Sequence, residues 1–140
     1  MLAAVDVDGH DAPSLRRAYE AVVTDAVETV GEHAVVEGTA LDGDTVSALA
    51  DEDAESPTLT LAEAAAIVAL STDRDADAIA ADARDRLLLE LSSAVLDVDA
   101  LAQGLDGDAT PKELQAKMEG RHPMNLAEYA EIRVFVAGER

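Results

Sequence analysis

The sequence predicts an all-α protein of about eight helices, organised as two tandem modules joined by a long central helix. Apolar residues recur at steps of three and four over several stretches, the spacing that places them on one face of a helix. Capping residues precede these stretches, and glycine or turn sequences follow them. No stretch alternates apolar and polar residues for long enough to indicate a sheet. The 140 residues, 49% of them hydrophobic, fit one compact unit over residues 1–140.

Residues 1–13 are expected to form a flexible N-terminal segment ahead of the first module, residues 14–74. The first predicted helix begins at Ser14, its expected N-cap, and ends before Gly31. Its apolar residues lie at helical spacing and form one stripe: Leu15, Ala18, Tyr19, Val22, Ala26 and Val30.

Three shorter helices are predicted in the rest of the first module. One runs from Glu32 to about Thr39, and the Asp-Gly turn after it places Asp44 at the N-cap of the next. Thr60 and Glu63 have the spacing of a capping box, so a further helix is predicted over Leu61–Leu70.

The central helix, residues 75–97, is predicted to be the longest and to form the centre of the domain or of a dimer. Leucines widen its apolar stripe, which comprises Ile79, Ala83, Leu87, Leu88, Leu89, Leu91 and Val95. So broad an apolar face must be covered on more than one side. A protein partner or a second copy of the chain is therefore expected to dock on the 79–95 part of this helix.

The second module, residues 98–140, is predicted to contain three helices. A short one covers about Val98–Leu105, and Thr110-Pro111 opens another that ends before Gly120. Proline in the first turn and glycine just past the end are typical of such a helix. The last helix is predicted from Asn125 to about Val136.

Two matched segments indicate an internal repeat. Leu61–Ile67 matches Leu126–Ile132 at an offset of 65, with five identities in seven positions. Upstream, Leu41–Asp44 matches Leu105–Asp108 at an offset of 64. Two matches in the same order at nearly one offset predict that the chain arose by duplication.

Each copy has the proportions of a helix-turn-helix motif. Apolar residues occupy the positions that such a motif buries: Val36, Ala40, Leu41, Val46 and Leu49 in one copy, and Ala102, Leu105, Leu114 and Met118 in the other. The stretch from Leu114 through Gly120-Arg121-His122-Pro123 to Leu126 resembles the second helix and following loop of phage-repressor-like (Cro/XRE) DNA-binding domains. As a whole, the chain is similar to a family of haloarchaeal proteins that form a domain of unknown function. That resemblance implies no activity.

The charge balance is strongly acidic. Ten Lys and Arg residues face 30 Asp and Glu residues, which gives a formal charge of −20. With only two lysines, the composition resembles that of proteins from salt-loving archaea, whose cytoplasm holds molar KCl. The Debye length is about 3 Å at 1 M salt, so exposed carboxylates hardly repel one another there. The net charge therefore indicates a habitat rather than a partner.

Several function classes find no support in the sequence. His10, His33 and His122 are scattered without ligand spacing and there is no cysteine, so no metal site and no thiol chemistry are expected. No nucleophile elbow and no glycine-rich phosphate loop occur, so no catalytic residue, no cofactor and no enzymatic activity are predicted. The chain shows no signal peptide and no apolar stretch long enough to cross a membrane, so a cytoplasmic protein without membrane contact is expected.

Two functions stay open. The first is a structural or adaptor protein that acts through protein–protein contacts. The alternative is a transcriptional regulator that binds nucleic acid through the 110–122 helix, because residues 110–140 hold five of the ten basic residues and have a net charge of zero. Its candidate DNA-binding residues are Lys112, Gln115, Lys117, Arg121 and His122. The two lysines can instead pair with Glu113 or Glu119 on a solvated helix.

The charge generates the first prediction. Because a chain of charge −20 repels itself when unscreened, dialysis into dilute buffer should loosen or unfold its helices, and added KCl should restore them. Circular dichroism in dilute buffer and in about 2 M KCl measures the change. Identical spectra in the two solutions would contradict the prediction.

Overall fold

Eight α-helices lie within the part of the chain that the computed structural model describes, which is residue 2 and residues 5–51, 57–105 and 109–139. Apart from one isolated bridge, these residues form no β-structure, so the predicted all-α class is confirmed. The helices are α1 (Ala12–Val30), α2 (Glu32–Gly38), α3 (Gly43–Ala50), α4 (Leu61–Leu70), α5 (Ala76–Ser93), α6 (Val98–Gly104), α7 (Pro111–Met118) and α8 (Leu126–Glu139).

Two helices begin earlier than the sequence suggested, because an aspartate upstream provides the cap. Asp11 caps α1: its carboxylate accepts from the backbone N–H of Ser14 at 2.8 Å, and the Ser14 hydroxyl accepts from the Asp11 backbone N–H at 3.1 Å. Ser14 is thus the third helical residue rather than the predicted cap. In the same way Asp42, and not Asp44, caps α3.

Matching capping boxes open α4 and α8. The predicted box of Thr60 and Glu63 is present, with distances of 3.0 and 2.9 Å. Asn125 and Glu128 form the same reciprocal pair at the start of α8, at 2.7 and 3.2 Å. The two caps lie at the offset of 65 that relates the repeated segments.

The same two helix starts contact each other directly. The Leu61 N–H donates to the Met124 carbonyl at 2.7 Å, and the Leu126 N–H donates to the Leu59 carbonyl at 2.9 Å. These bonds form an antiparallel bridge centred on Thr60 and Asn125. The offset of 65 relates Leu61 to Leu126 and Leu59 to Met124, so the repeat makes the two bonds equivalent to each other, as a local two-fold axis would.

The helix order and packing follow the same symmetry. Lengths of 19, 7, 8 and 10 residues in α1 to α4 are followed by 18, 7, 8 and 14 in α5 to α8. α1 packs against α8, and its counterpart α5 packs against α4. α2 packs on α3, as α6 does on α7. In this arrangement α5 corresponds to α1 and opens the second half of the molecule.

α5 is shorter than predicted and is not the longest described helix. It ends at Ser93, and Val95 then takes a left-handed conformation with φ +56°. The Leu96 N–H bonds back to the Leu91 carbonyl at 3.1 Å, the pattern of a Schellman ending. Val95, predicted to extend the buried stripe, is instead 90% exposed.

The candidate helix-turn-helix of the first half is only partly as expected. Val46 and Leu49 are buried as predicted, whereas Val36 is exposed. Its neighbour Val35 takes the buried position, because α2 has only two turns and presents that residue to the core. The corresponding turn of the second half, 106–108, lies outside the described residues.

Two side chains of the N-terminal segment are part of the core, which sequence analysis did not predict. Leu2 is fully buried and Val7 is 4% exposed. Both belong to the same apolar core as the helices. Pattern analysis missed them because a segment without helical periodicity gives no sign of the surface on which it lies.

The core position of Leu91 generates a stability prediction. Its side chain is buried, so Leu91→Ala should lower the free energy of unfolding by about 2 to 5 kcal/mol, since it leaves a cavity in the core. Leu89→Ala on the same helix is the matched control, because Leu89 is 66% exposed and its loss should change stability by less than about 0.5 kcal/mol. Denaturant unfolding in high KCl measures both. Equal losses in the two variants would contradict the packing described.

Candidate functional site

The predicted DNA-binding side chains do not form one donor surface. Lys112 and Gln115 are exposed on α7, where the Gln115 amide donates to Glu119 at 3.1 Å. Lys117 is half-buried and forms an ion pair with Glu128 of α8, a partner that the sequence did not suggest. Arg121 forms an ion pair with Glu119 at 3.0 Å. Most of these donors are therefore already bound to acceptors of the protein.

Three of the five do come together in a groove. Lys117, Arg121 and His122 line a cleft of about 470 Å³ with Arg84 of α5, and residues 60–63 at the start of α4 also line it. We call this cleft the basic groove. Lys112 and Gln115 are not among its lining residues. Sequence analysis missed Arg84, because only the packing of α5 brings it beside the loop after α7.

Gly120 shapes the basic groove. Its φ of +83° is a left-handed conformation that favours glycine, and a Cβ placed there would lie 2.8 Å from the Arg84 guanidinium carbon. The guanidinium therefore lies directly against the glycine backbone. Among the described residues, Arg84 has no ion-pair partner. Within the described part of the chain, the groove thus contains one arginine that is not paired with a carboxylate.

A second polar cluster lies in the core and centres on Arg133 of α8, which is fully buried. Its Nε and Nη2 donate to the two Glu90 oxygens at 2.8 and 2.7 Å. Its Nη1 donates to the Val5 carbonyl at 2.9 Å and to the Tyr19 hydroxyl at 2.6 Å. The Tyr129 hydroxyl donates to a carbonyl of α5 at 2.7 Å. The cluster thus joins the N-terminal segment, α1, α5 and α8.

The charges of this cluster stabilise each other. Burial alone would raise the pKa of Glu90, but the hydrogen bonds and charge of Arg133, with help from Arg86, outweigh it and hold that pKa below its ordinary value. Burial raises the pKa of Tyr19 and Tyr129, so both stay neutral. Because each group has a partner, the cluster is suited to holding helices together rather than to proton transfer.

Sequence analysis counted Arg133 only among the five basic residues of 110–140 and assigned it no role. The spacing does contain a signal, because Tyr129, Ile132, Arg133 and Val136 follow helical steps and all four are buried. In the first half, the offsets of 64 and 65 place Ala26 and Val68 opposite Glu90 and Arg133, and both are buried apolar residues. The ion pair is therefore a feature of the second half alone.

An apolar face of α5 is turned away from the core. Leu88 is 40% exposed and Leu89 66%, and with Asp85 and Ser92 they line a shallow depression. These four residues follow helical steps, and Val95, also exposed, comes two residues after the helix ends. We call the five residues the α5 face. It is the part of the predicted broad stripe that the molecule itself leaves uncovered.

Other kinds of site find no support in the described part of the chain. No group of three or more His, Cys, Asp or Glu residues is placed there to hold a metal ion. No helix there is long and apolar enough to cross a membrane.

Comparison with known proteins identifies the family. The chain belongs to a family of unknown function (DUF5791), whose sequence profile matches residues 15–139. No curated protein and no solved structure matches it. Membership carries no activity with it, so a function must be argued from the surfaces described above.

The buried ion pair generates a prediction about stability and pH. Glu90→Gln leaves the charge of Arg133 buried without a counter-ion and should lower the free energy of unfolding by about 3 to 5 kcal/mol. Because the pKa of Glu90 is lowered on folding, its contribution is complete above the ordinary value of 4.5 and disappears as the pH falls through the folded-state pKa. Denaturant unfolding at neutral and acidic pH should show this loss in the wild type and not in Glu90→Gln.

Two further variants test the explanation. Glu20→Gln removes a carboxylate from the pair with Arg16 at the edge of α1, and should lower stability by less than about 1 kcal/mol. Replacing both charges, as Glu90→Leu with Arg133→Met, should recover most of the loss, because no unpaired charge is then buried. A double variant as unstable as Glu90→Gln would show that the damage comes from lost packing.

Proposed function

We propose that this protein is a halophilic, non-catalytic adaptor of the cytoplasm that binds a partner protein through the α5 face. The proposal rests on the exposure of three large apolar side chains, Leu88 and Leu89 on α5 and Val95 just after its end. Single exposed apolar residues are common on protein surfaces. A contiguous group of them is typical of an interaction surface.

The conformation of Val95 supports a contact role. A β-branched residue with φ +56° is strained by about 1 to 2 kcal/mol relative to glycine, which would end the helix without strain. The side chain is 90% exposed, so packing within the molecule does not offset the strain. A partner that covers this side chain would offset it.

Charges in direct contact select the partner even where salt screens the net charge. A second copy of this acidic chain would bring like carboxylates against each other, whereas a partner with Lys and Arg around an apolar centre would pair with them. Asp85 at the edge of the depression is placed to pair with such a residue. In molar salt long-range attraction is screened, so the apolar contact supplies most of the affinity. We therefore assign the face to a partner segment with apolar anchors and a basic rim.

The DNA alternative has less support. The exposed surface of α7 combines Lys112 with Glu113, and Glu119 follows directly, so phosphate meets as much negative as positive charge. Lys117 and Arg121 would have to leave their carboxylate partners to reach a duplex. A DNA contact would then lose part of its energy in breaking these pairs.

The experiment selects peptides of 15 to 20 residues from a displayed library on the immobilised full chain in high KCl. Bound peptides should carry Leu, Ile or Phe at helical spacing, flanked by Lys or Arg. Their amide shift perturbations should map to the α5 face. Leu89→Asp should weaken binding at least about tenfold, because it puts a charge at the centre of the contact.

Val36→Asp on α2 is the matched control, since it adds the same charge at another exposed apolar position. It should leave peptide affinity unchanged. Val95→Gly should stabilise the free protein and weaken peptide binding, a combination that a purely structural Val95 would not produce. Peptides that bind Leu89→Asp as well as the wild type would overturn the proposal. A dimer in sedimentation that Leu89→Asp dissociates would assign the face to a second copy instead.

A further inference from the structure

We infer that the basic groove binds the phosphate group of a small organic ligand. This site is separate from the α5 face and does not depend on the adaptor role. Three of the ten basic residues of the chain, Arg84, Lys117 and Arg121, line this one cleft together with His122. They come from α5, α7 and the loop before α8, so tertiary packing brings them together.

Carboxylates pair with two of the cations of the groove, Lys117 and Arg121, and leave the third, Arg84, without such a pair among the described residues. Among the described residues that line the groove, Glu63 is the only acidic one, and its carboxylate is held by the Thr60 backbone N–H at 2.9 Å. Residues 60–63 are at the start of α4, so they also bring the positive end of its helix dipole to the groove. Although the chain as a whole carries a charge of −20, the unpaired Arg84 and the helix dipole together favour an anion in the groove.

Arg84 supplies the most specific contact. Its guanidinium has no ion-pair partner among the described residues and is positioned against Gly120. A planar guanidinium can bind two phosphate oxygens at once, which is stronger and more directional than a single contact. The position equivalent to Arg84 in the first half is Glu20, at the offset of 64. Only the second half therefore offers an arginine here.

Arg121 is the second contact. Its pair with Glu119 is on the surface, with side chains 59% and 40% exposed, so the pair is weak and can exchange for a ligand. Lys117 stays paired with Glu128 and contributes mainly to the local potential. The backbone N–H groups of Arg121 and His122 both donate to the Ala116 carbonyl, at 2.8 and 3.2 Å, which fixes the loop that carries these side chains.

The size of the groove favours a ligand larger than phosphate itself. About 470 Å³ falls within the range of pockets that hold small organic molecules. The buried side chains of Leu61 and Met124 line it beside the cations, which suits an apolar or heterocyclic group attached to the phosphate. The structure thus favours a phosphate monoester or diphosphate of moderate size over the backbone of a duplex.

The test titrates the full chain in KCl at a concentration that keeps it helical, with pyrophosphate and with adenosine monophosphate as probes. Amide shifts should change saturably at Ala62, Gly120, Arg121 and His122. Arg84→Gln should weaken binding about tenfold, the effect of losing one charge-assisted contact pair. Arg17→Gln on α1 is the matched control, because it makes the same charge change outside the groove, and it should leave affinity unchanged.

Each other outcome overturns the inference. Shifts that do not saturate, or that added KCl reproduces, would show general ion screening. Equal weakening by Arg84→Gln and Arg17→Gln would show that only total charge matters. Binding of a duplex oligonucleotide without binding of either small probe would assign the groove to nucleic acid. Peptide binding at the α5 face should be the same in Arg84→Gln and the wild type. A failure of phosphate binding therefore does not contradict the adaptor role, and a failure of peptide binding does not contradict the phosphate site.

Discussion

The ion pair between Arg133 and Glu90 determines how the ends of this chain are arranged. Arg133 uses its guanidinium to hold a carboxylate on α5, a hydroxyl on α1 and a carbonyl of the N-terminal segment. A buried guanidinium is tolerated only where its donors find partners. The positions of α1, α5 and α8 are therefore coupled, since a shift of any one leaves a buried charge short of a partner. Such buried ion pairs add little net stability, but a different arrangement of the helices would leave a buried charge unpaired, which is strongly unfavourable.

That selectivity matters in a molecule with internal symmetry. The two halves share the order of long and short helices and the same capping boxes, and their equivalent residues meet in a reciprocal bridge. With apolar residues in both halves, α1 and α5 would offer similar surfaces to α4 and α8. In the repeat, Glu90 occupies the position equivalent to Ala26, and Arg133 the position equivalent to Val68. The buried charges thus distinguish two halves that their backbones make alike.

Local features of the fold were predictable from the sequence, and features that depend on tertiary contacts were not. The bounds of α4 were predicted correctly because Thr60 and Glu63 form a capping box within one turn. The starts of α1 and α3 were misplaced where two polar residues competed for the cap, at Asp11 and Asp42. Helical spacing identified Leu87 and Leu91 as core residues. It could not indicate that Leu88 and Leu89 would remain outside.

The candidate sites show the same division. Lys117, Arg121 and His122 were singled out because they cluster in the sequence, and they do share a groove. Arg84 has no such neighbours in the chain and reaches the groove only through the packing of α5. Arg133 was overlooked because charge was counted by segment, without asking which side of α8 each charge occupied. In the folded protein, basic residues from one stretch of sequence are separated: Arg133 is buried in the core, whereas Lys117 and Arg121 line an open cleft.

Each half packs its long helix against the last helix of the other half, α1 on α8 and α5 on α4, and this affects the order in which the chain folds. α1 packs against α8, so α1 makes this contact only after the intervening residues 31–125 have been synthesised. α4 and α5 are adjacent in sequence and pack together, which makes them the natural first contact. The contact between α1 and α8 must form later, because it joins residues that are far apart in the sequence. Contacts between such distant residues slow folding. During that interval the side of α1 that faces α8 is uncovered, and it is the surface through which unfinished molecules can associate.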